Sequence, residues 1–446
     1  MRALVAARHP ALVLLALLAT ASPSNAQPVN GRILAPGPPV MEPNAFLRDP
    51  FLVGDSSQIL FTTSATNVSP EFSGAANVYA YHLGTRAISL ISRNAGSHAP
   101  GDGNCFFPVG SSDGRFVAFE SLATNLGPMN NSVNIFHIDR QSGTVRVASS
   151  SPGGTNGNDQ SRFPSISADG RSVVFQSFAS NLVALDGNNR ADIFLKDIDT
   201  GAVELISRDA SGAFGSDNAA ALSTQAISAD GRYVAFASLA ANMVPGLAGG
   251  TQQIYVRDRS SASTSLISQS ASGVPGGSVS DQAAISSNGR YVAFRSFAAN
   301  LVVGASSRLF LRDRQANTIT AVPLPLGSAV TPALGSDASA CRAPRVSDGG
   351  DVLMVCDMVA PAAAQVYLWQ RNPTPRLLLI SRDAGNASVI GNALSGAISS
   401  MNAAGTDLVF ESQASNLVSG DVAGNPDIFF RVDPALLDTL FRNGFE

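Results

Sequence analysis

The sequence predicts an all-β protein, a β-propeller of seven blades with four antiparallel strands in each. Three observations lead there. One phrase recurs seven times along the 446 residues, at steps of 55 to 61 residues. Each copy consists of short runs rich in Val, Ile, Phe and Tyr, which suit a covered, pleated surface, with turn residues between them. No run of ten or more residues carries the apolar period of a helix. Self-similarity at a fixed period marks propellers and arrays. Four strands per unit in seven units favour a closed ring over a flat solenoid.

Residues 1–26 read as a signal peptide. Arg2 and Arg8 precede the apolar run Ala11 to Ala19, and Ser24-Asn25-Ala26 supplies small residues for cleavage. The run is too short for a membrane span of about 20 residues. Residues 27–45 hold Pro28, Pro36, Pro38, Pro39 and Pro43 and read as an extended lead-in. The propeller is expected over 46–434, followed by a C-terminal tail, 435–446. No later stretch reaches 18 uninterrupted apolar residues, so no membrane span is expected.

The phrase is clearest in SISADGRSVVFQSFASNLV (165–183), AISADGRYVAFASLAANMV (226–244) and AISSNGRYVAFRSFAANLV (284–302). Its anchor falls at Phe61, Phe119, Phe175, Phe236, Phe294, Val355 and Phe410. A second half follows, as in DIFLKDIDTGAVELIS (192–207). Asp169-Gly170, Asp230-Gly231 and Asn288-Gly289 suit two-residue hairpin turns, which need positive φ. Runs such as Val173-Val174-Phe175 are apolar at consecutive positions, as expected of strands covered on both faces in stacked sheets. The last copy stops after DIFFRVD (427–433). Its fourth strand must come from ALLDTLF (435–441) or from the segment around Ile33 and Leu34.

The phrase "SxDGRYVAFxS…NLV…DIFLxDxxTGxxxLIS" resembles the WD-repeat-like β-propeller repeats of the TolB-type family of bacterial exported proteins. The resemblance spans roughly residues 46–434 and is specific in blades two to five and seven. It implies an exported propeller. Two features depart from TolB: no α/β domain fits ahead of the repeats, and the repeats are longer than the usual 40–45 residues or so. The ending LFRNGFE (440–446) is similar to a short tail on exported proteins of Gram-negative bacteria.

Composition narrows the function. Charged residues make up 14% of the chain, against about 25% in ordinary domains. With a formal net charge of −4, a basic-patch nucleic-acid binder is excluded. Hydrophobic residues at 45% exclude wholesale disorder. Three Cys are too few for a disulfide scaffold.

No HExxH, Gly-x-Ser-x-Gly or phosphate-cradling loop is present. His82 aligns with turn residues, and His137 reads as a packed strand residue. The Ser of "VAFxS" (Ser121, Ser177, Ser238, Ser296, Ser412) recurs in blade after blade. That argues for a scaffold role, because an active site needs a singular constellation. The Asn of "xNLV" (Asn67, Asn125, Asn181, Asn242, Asn300, Asn416) is expected to cap its own turn.

Two loops have the oxygen-rich spacing that Ca²⁺ uses: Asp186, Asn188 and Asp192 in blade three, and Asp421, Asn425 and Asp427 in blade seven. Calcium is the one cofactor these loops suggest. Cys341 and Cys356 flank the blade-six hairpin within disulfide reach, and Cys105 has no partner nearby in sequence. The expected function is a non-enzymatic binding or scaffold module, monomeric and periplasmic or secreted. Its partner is expected to be a protein, a cell-envelope component or a glycan. The alternatives are a polysaccharide lyase or hydrolase on one propeller face, and a calcium-stabilised surface or adhesion component.

Overall fold

A computed structural model describes residues 29–36, 41–128, 132–184, 186–209, 211–220, 223, 225–247, 249–325, 341–358, 363–384, 389–421 and 425–432. The expected signal peptide and the segment 435–441 lie outside them.

The described residues form 28 strands. The first, β1 (Val29–Arg32), precedes the repeats. Blade one holds β2 (Leu47–Leu52), β3 (Gln58–Thr63), β4 (Asn77–His82) and β5 (Ile88–Leu90). Blade two holds β6 (Cys105–Gly110), β7 (Phe116–Ser121), β8 (Asn134–Asp139) and β9 (Thr144–Val147). Blade three holds β10 (Ser161–Ile166), β11 (Ser172–Ser177), β12 (Asp192–Asp197) and β13 (Val203–Leu205). Blade four holds β14 (Ala219–Ala220), β15 (Tyr233–Ser238), β16 (Gln253–Asp258) and β17 (Ser263–Leu266). Blade five holds β18 (Ser280–Ile285), β19 (Tyr291–Ser296), β20 (Leu309–Asp313) and β21 (Thr318–Ala321). Blade six holds β22 (Cys341–Val346), β23 (Val352–Asp357), β24 (Ala364–Gln370) and β25 (Arg376–Leu379). Blade seven holds β26 (Ser395–Met401), β27 (Leu408–Ser412) and β28 (Asp427–Val432). Each blade is one antiparallel four-stranded sheet, and the ring is a seven-bladed β-propeller. No helix of the described residues is long and apolar enough to cross a membrane.

Blade seven takes its fourth strand from the N-terminus. β1 pairs antiparallel with β28, Val29 opposite Val432 and Arg32 opposite Phe429. Part of the expected lead-in, 27–45, is therefore a strand of the ring. Ile33 and Ala35 continue it into the core between blades seven and one.

Seven hydrophobic clusters lie between neighbouring blades, which explains the consecutive apolar runs. Val173 and Phe175 face the blade-two side, and Val174 faces blade four. Both faces of the strand are dry, so period-two alternation disappears. In six blades the anchor is a Phe packed against an aromatic of the third strand, as in Phe119–Phe136 at 6.0 Å and Phe236–Tyr255 at 5.7 Å. In blade six the register corrects the expected anchor. Cys341 opposes Cys356 as Ser280 opposes Ser296, so Met354, not Val355, sits opposite the aromatic Tyr367. A one-residue slip exchanges the two faces.

The hairpin turns also differ from expectation. In blade three, Gly170 N–H donates to Ser167 O (2.9 Å) and Ser167 N–H to Ser172 O (3.0 Å), which is longer than a two-residue loop. Only Gly170 has positive φ, 75°. Asp169 caps the turn instead, accepting from the Ser167 hydroxyl (2.6 Å) and Arg171 N–H (3.0 Å). The next arginine reaches the acid ending the third strand, as in Arg232–Asp258 and Arg290–Asp313.

The recurrent polar residues hold the scaffold. Ser177 accepts Ala179 N–H (3.0 Å) and meets the Ser161 hydroxyl (2.9 Å), and the Ser280–Ser296 and Ser395–Ser412 pairs repeat this. The asparagines do not cap their own turns. Each reaches back 23 to 28 residues: Asn181 Oδ1 accepts Asn158 N–H and its Nδ2 donates to Asn156 O, both at 2.9 Å. Asn67, Asn125, Asn242, Asn300 and Asn416 make the same pair of bonds. They pin the entry loop of a blade to the exit of its second strand.

Candidate functional site at the channel mouth

The innermost strands line the channel, and most carry a bulge near their start. Asp49, Phe107, Phe163, Gln282 and Ala343 all have φ between 50° and 56° at this position, where the ladder skips a residue. A non-glycine residue held there costs about 1–3 kcal/mol, and such strain concentrates at functional sites. A bulge also re-aims side chains.

The freed bulge N–H groups turn to side chains of the preceding blade. Phe107 N–H meets Asp49 Oδ2 at 3.3 Å and Ala343 N–H meets Gln282 Oε1 at 2.8 Å. Phe163 N–H bonds Glu120, and Asp49 N–H faces Glu411. Three buried or half-buried carboxyls, Glu411, Asp49 and Glu120, thus follow one another across blades seven, one and two.

Their electrostatics are unusual. Burial pushes Glu120 up to about 7, and the nearby Asp49 charge adds to this. Glu411 is pushed up to about 7 by the same two causes in the same order. Burial also raises Asp49, against its bond from Phe107 N–H and the charge of Arg48. Near neutral pH the mouth therefore holds carboxyl groups that both donate and accept hydrogen bonds. Apolar groups surround them: the Phe107 and Phe163 rings lie 6.0 Å apart, and Leu122 and Phe178 are exposed beside the ends of β7 and β11.

The residue before the repeated Ser, Thr or Cys of the second strand reads Thr62, Glu120, Gln176, Ala237, Arg295, Val355 and Glu411. That variation inside a strict repeat was the sequence signal for this site, and the repeat's constant residues hid it. At the opposite end of the channel, Gln225 closes in on blade six. Its Nε2 donates to Val346 O (2.7 Å) and its Oε1 accepts Val346 N–H (3.1 Å).

The residues singled out from sequence fall elsewhere. In blade three, Asp192 accepts from the Ser207 hydroxyl (2.6 Å) and from Asn188 Nδ2 (2.8 Å), so Asn188 presents its donor side to the acid. Burial raises Asp192 to about 6, and the Asp186 charge adds to this. In blade seven, Asp421 and Asp427 come together with Glu42, three carboxylate oxygens within 4.8 Å of one another. Glu42 was not foreseen. Asn425 is exposed. Arg32 occupies the centre, with Nη1 2.9 Å from Asp421, 3.8 Å from Asp427 and 2.8 Å from Glu42. A metal ion here would have to displace a guanidinium.

Cys341 and Cys356 join as a disulfide at the position where blades three, five and seven place a Ser–Ser pair. Cys105 occupies the same position in blade two, is buried, and lies 3.2 Å from the Ser121 hydroxyl. His82 Nδ1 accepts N–H groups of its turn. His137 is buried against Phe116, with Nε2 3.0 Å from Gly170 O, and burial lowers it to about 4.

No family model matches the chain, and no curated protein sequence does. Among solved structures, an oligogalacturonate lyase in complex with manganese is similar at a TM-score of 0.52, with 14% identity over 91% of this chain and 94% of that one. The β-propeller domain of the Trilobed protease from Pyrococcus furiosus is similar at 0.50, with 11% identity over 87% and 95%. TolB from Acinetobacter baumannii matches at 0.41 with 18% identity over 73% of this chain. The chain spans 64% of that protein's length. At these identities the likeness is one of fold alone, a β-propeller shared with a lyase and with one domain of a protease.

Proposed function

We propose that the chain is an exported binding protein whose bulged channel mouth takes a hydroxyl-rich, weakly charged ligand, in the first place a cell-envelope glycan. One observation carries this reading. The repeat is strict on the turn face and breaks into singular side chains at the mouth, where carboxyl groups poised near neutrality sit beside aromatic rings. Such a surface matches the hydroxyls and apolar faces of a sugar better than it matches a charged polymer. The low overall charge supports the same class of partner, and loops on a rigid scaffold are where recognition concentrates.

Glycan-array binding followed by calorimetry tests it. Wild type is expected to bind, and Glu120→Gln with Glu411→Gln is expected to weaken binding by about tenfold or more. Array and calorimetry both blank would reject the reading. A second reading rests on the same carboxyls. Groups near pH 7 are suited to general acid–base work, and a lyase acting on oligogalacturonate shares the fold. Incubation with oligogalacturonate, with products followed by chromatography, separates turnover from binding.

A further inference from the structure

The outer rim has a feature independent of the channel. In several grooves between blades, an arginine just after the third strand reaches across to the preceding blade. In the groove between blades three and four, Arg259 Nε lies 2.8 Å from Glu204. Arg208 approaches the same carboxylate at 3.6 Å. Glu204 is thus held between two guanidiniums.

The groove between blades one and two has both arginines and lacks the acid. Arg93 stands where blade three has Arg208, and Arg140 stands where blade four has Arg259. Ser89 opposes Ala80 as Glu204 opposes Leu195, so serine replaces the carboxylate. Arg140 is held in place by Gln58 Oε1 and Gly114 O, both at 2.7 Å. Burial lowers its pKa, and so does the charge of Arg93. Among the described residues neither arginine has a carboxylate within 4.0 Å. Other grooves fill the gap differently: Arg314 lies over the Tyr233 ring at 4.1 Å, and Arg371 donates to the Tyr291 hydroxyl at 2.9 Å.

A cavity of about 710 Å³ opens in front of Arg93, Arg140 and Ser89, a size typical of small-molecule sites. Two acids border it. Asp113 is engaged by its turn, accepting from the Ser111 hydroxyl (2.6 Å) and Arg115 N–H (3.0 Å). Glu71 is exposed. Arg115 is already paired with Asp139 at 2.8 Å.

We propose that this groove binds a small organic acid, whose carboxylate lies between Arg93 and Arg140 as Glu204 lies between Arg208 and Arg259. A planar carboxylate is the group that the same pair of guanidiniums holds elsewhere in the ring, and it suits their fork geometry. The proposal does not depend on the glycan reading of the channel mouth.

Calorimetry and thermal shift on the full chain test it, with succinate, glucuronate and inorganic phosphate at matched ionic strength. Succinate or glucuronate is expected to bind and to raise Tm, and Arg93→Ala is expected to weaken binding by about tenfold or more. Ser89→Glu supplies the missing acid and is expected to raise Tm and abolish the response. Glu204→Ser is expected to create a second carboxylate site between blades three and four, which keeps the test decisive if Ser89→Glu fails to fold. No binding of either acid, an undiminished response in Ser89→Glu, or phosphate binding as tight as the acids overturns the proposal.

Discussion

Blades three and seven start their third strands with aspartates in identical register, Asp192 and Asp427, each preceded six residues earlier by another aspartate. Their surroundings diverge because their fourth strands come from different places. In blade three the chain continues into β13, which delivers Ser207 to Asp192. In blade seven the fourth strand is β1. Ile33 N–H bonds Ile428 O as Ile206 N–H bonds Ile193 O, so Leu34 falls at the Ser207 position. Without a hydroxyl, Asp427 is left with carboxylate neighbours, and Arg32 supplies the counter-charge. One spacing thus yields an acid held by a hydroxyl and an amide in one blade and an arginine clip among three acids in another.

The largest expected effect comes from removing the borrowed strand. Deleting residues 27–45 strips Ile33 and Ala35 from the core together with a full ladder of hydrogen bonds. The loss should be about 5 kcal/mol or more, read as a collapse of Tm or failure to fold. An unchanged Tm would break the comparison at its root. Next comes the clip itself. Arg32→Leu leaves three acids facing one another and should cost about 3–5 kcal/mol in chemical denaturation. Asp192→Asn keeps most of its hydrogen bonds and should cost about 1 kcal/mol. Equal costs would mean that the two sites are not different in kind.

Titration sharpens the contrast further. Burial and the neighbouring acids raise Asp427 to about 7, and burial raises Asp192 to about 6. A raised acid pKa means that the folded state holds more protons, so stability falls as pH rises through the window from about 4 to 7 for Asp427 and from about 4 to 6 for Asp192. The fall should be roughly 2–4 kcal/mol for each group. Glu120 and Glu411 add to it over the same range. Asp427→Asn should remove the Asp427 share of the slope across the window from about pH 4 to 7 and leave the shares of Asp192, Glu120 and Glu411, measured as Tm against pH. An unaltered profile would remove Asp427 from the account. The smallest effect concerns the cysteines. Cys105→Ser should change stability by less than about 1 kcal/mol, since it recreates the Ser–Ser pair of other blades. Alkylation after denaturation without reductant should label one thiol. Three labels would exclude the Cys341–Cys356 bridge.

Strand number, blade number and core were legible because the repeat enforces them: a dry position in one blade is dry in nearly all. Blade six escaped by a single residue, since Met354 replaces the aromatic that marks the anchor elsewhere. The asparagines were visible, but their partners lie 23 to 28 residues upstream, beyond any local turn rule. Glu42 joins Asp421 and Asp427 only through the closing strand, so no spacing could have paired them. The channel carboxyls were hidden differently. Glu120 and Glu411 precede the recurrent serine at a position that changes from blade to blade, so the repeat itself does not mark them.

The closing strand also has a temporal meaning. β1 is the earliest described segment to be made and the last whose partner exists, because β28 comes almost four hundred residues later. For a bare chain, joining ends that far apart would cost about 5 kcal/mol in lost entropy. Most of that cost is removed if blades one to six have already curled into an arc that brings both ends together. Until β28 emerges, Val29–Arg32 has no sheet to join, and the arc can neither shut nor lock. Assembly then becomes a question of order, and the Arg32 clip acts as the catch that engages only when the whole ring is present.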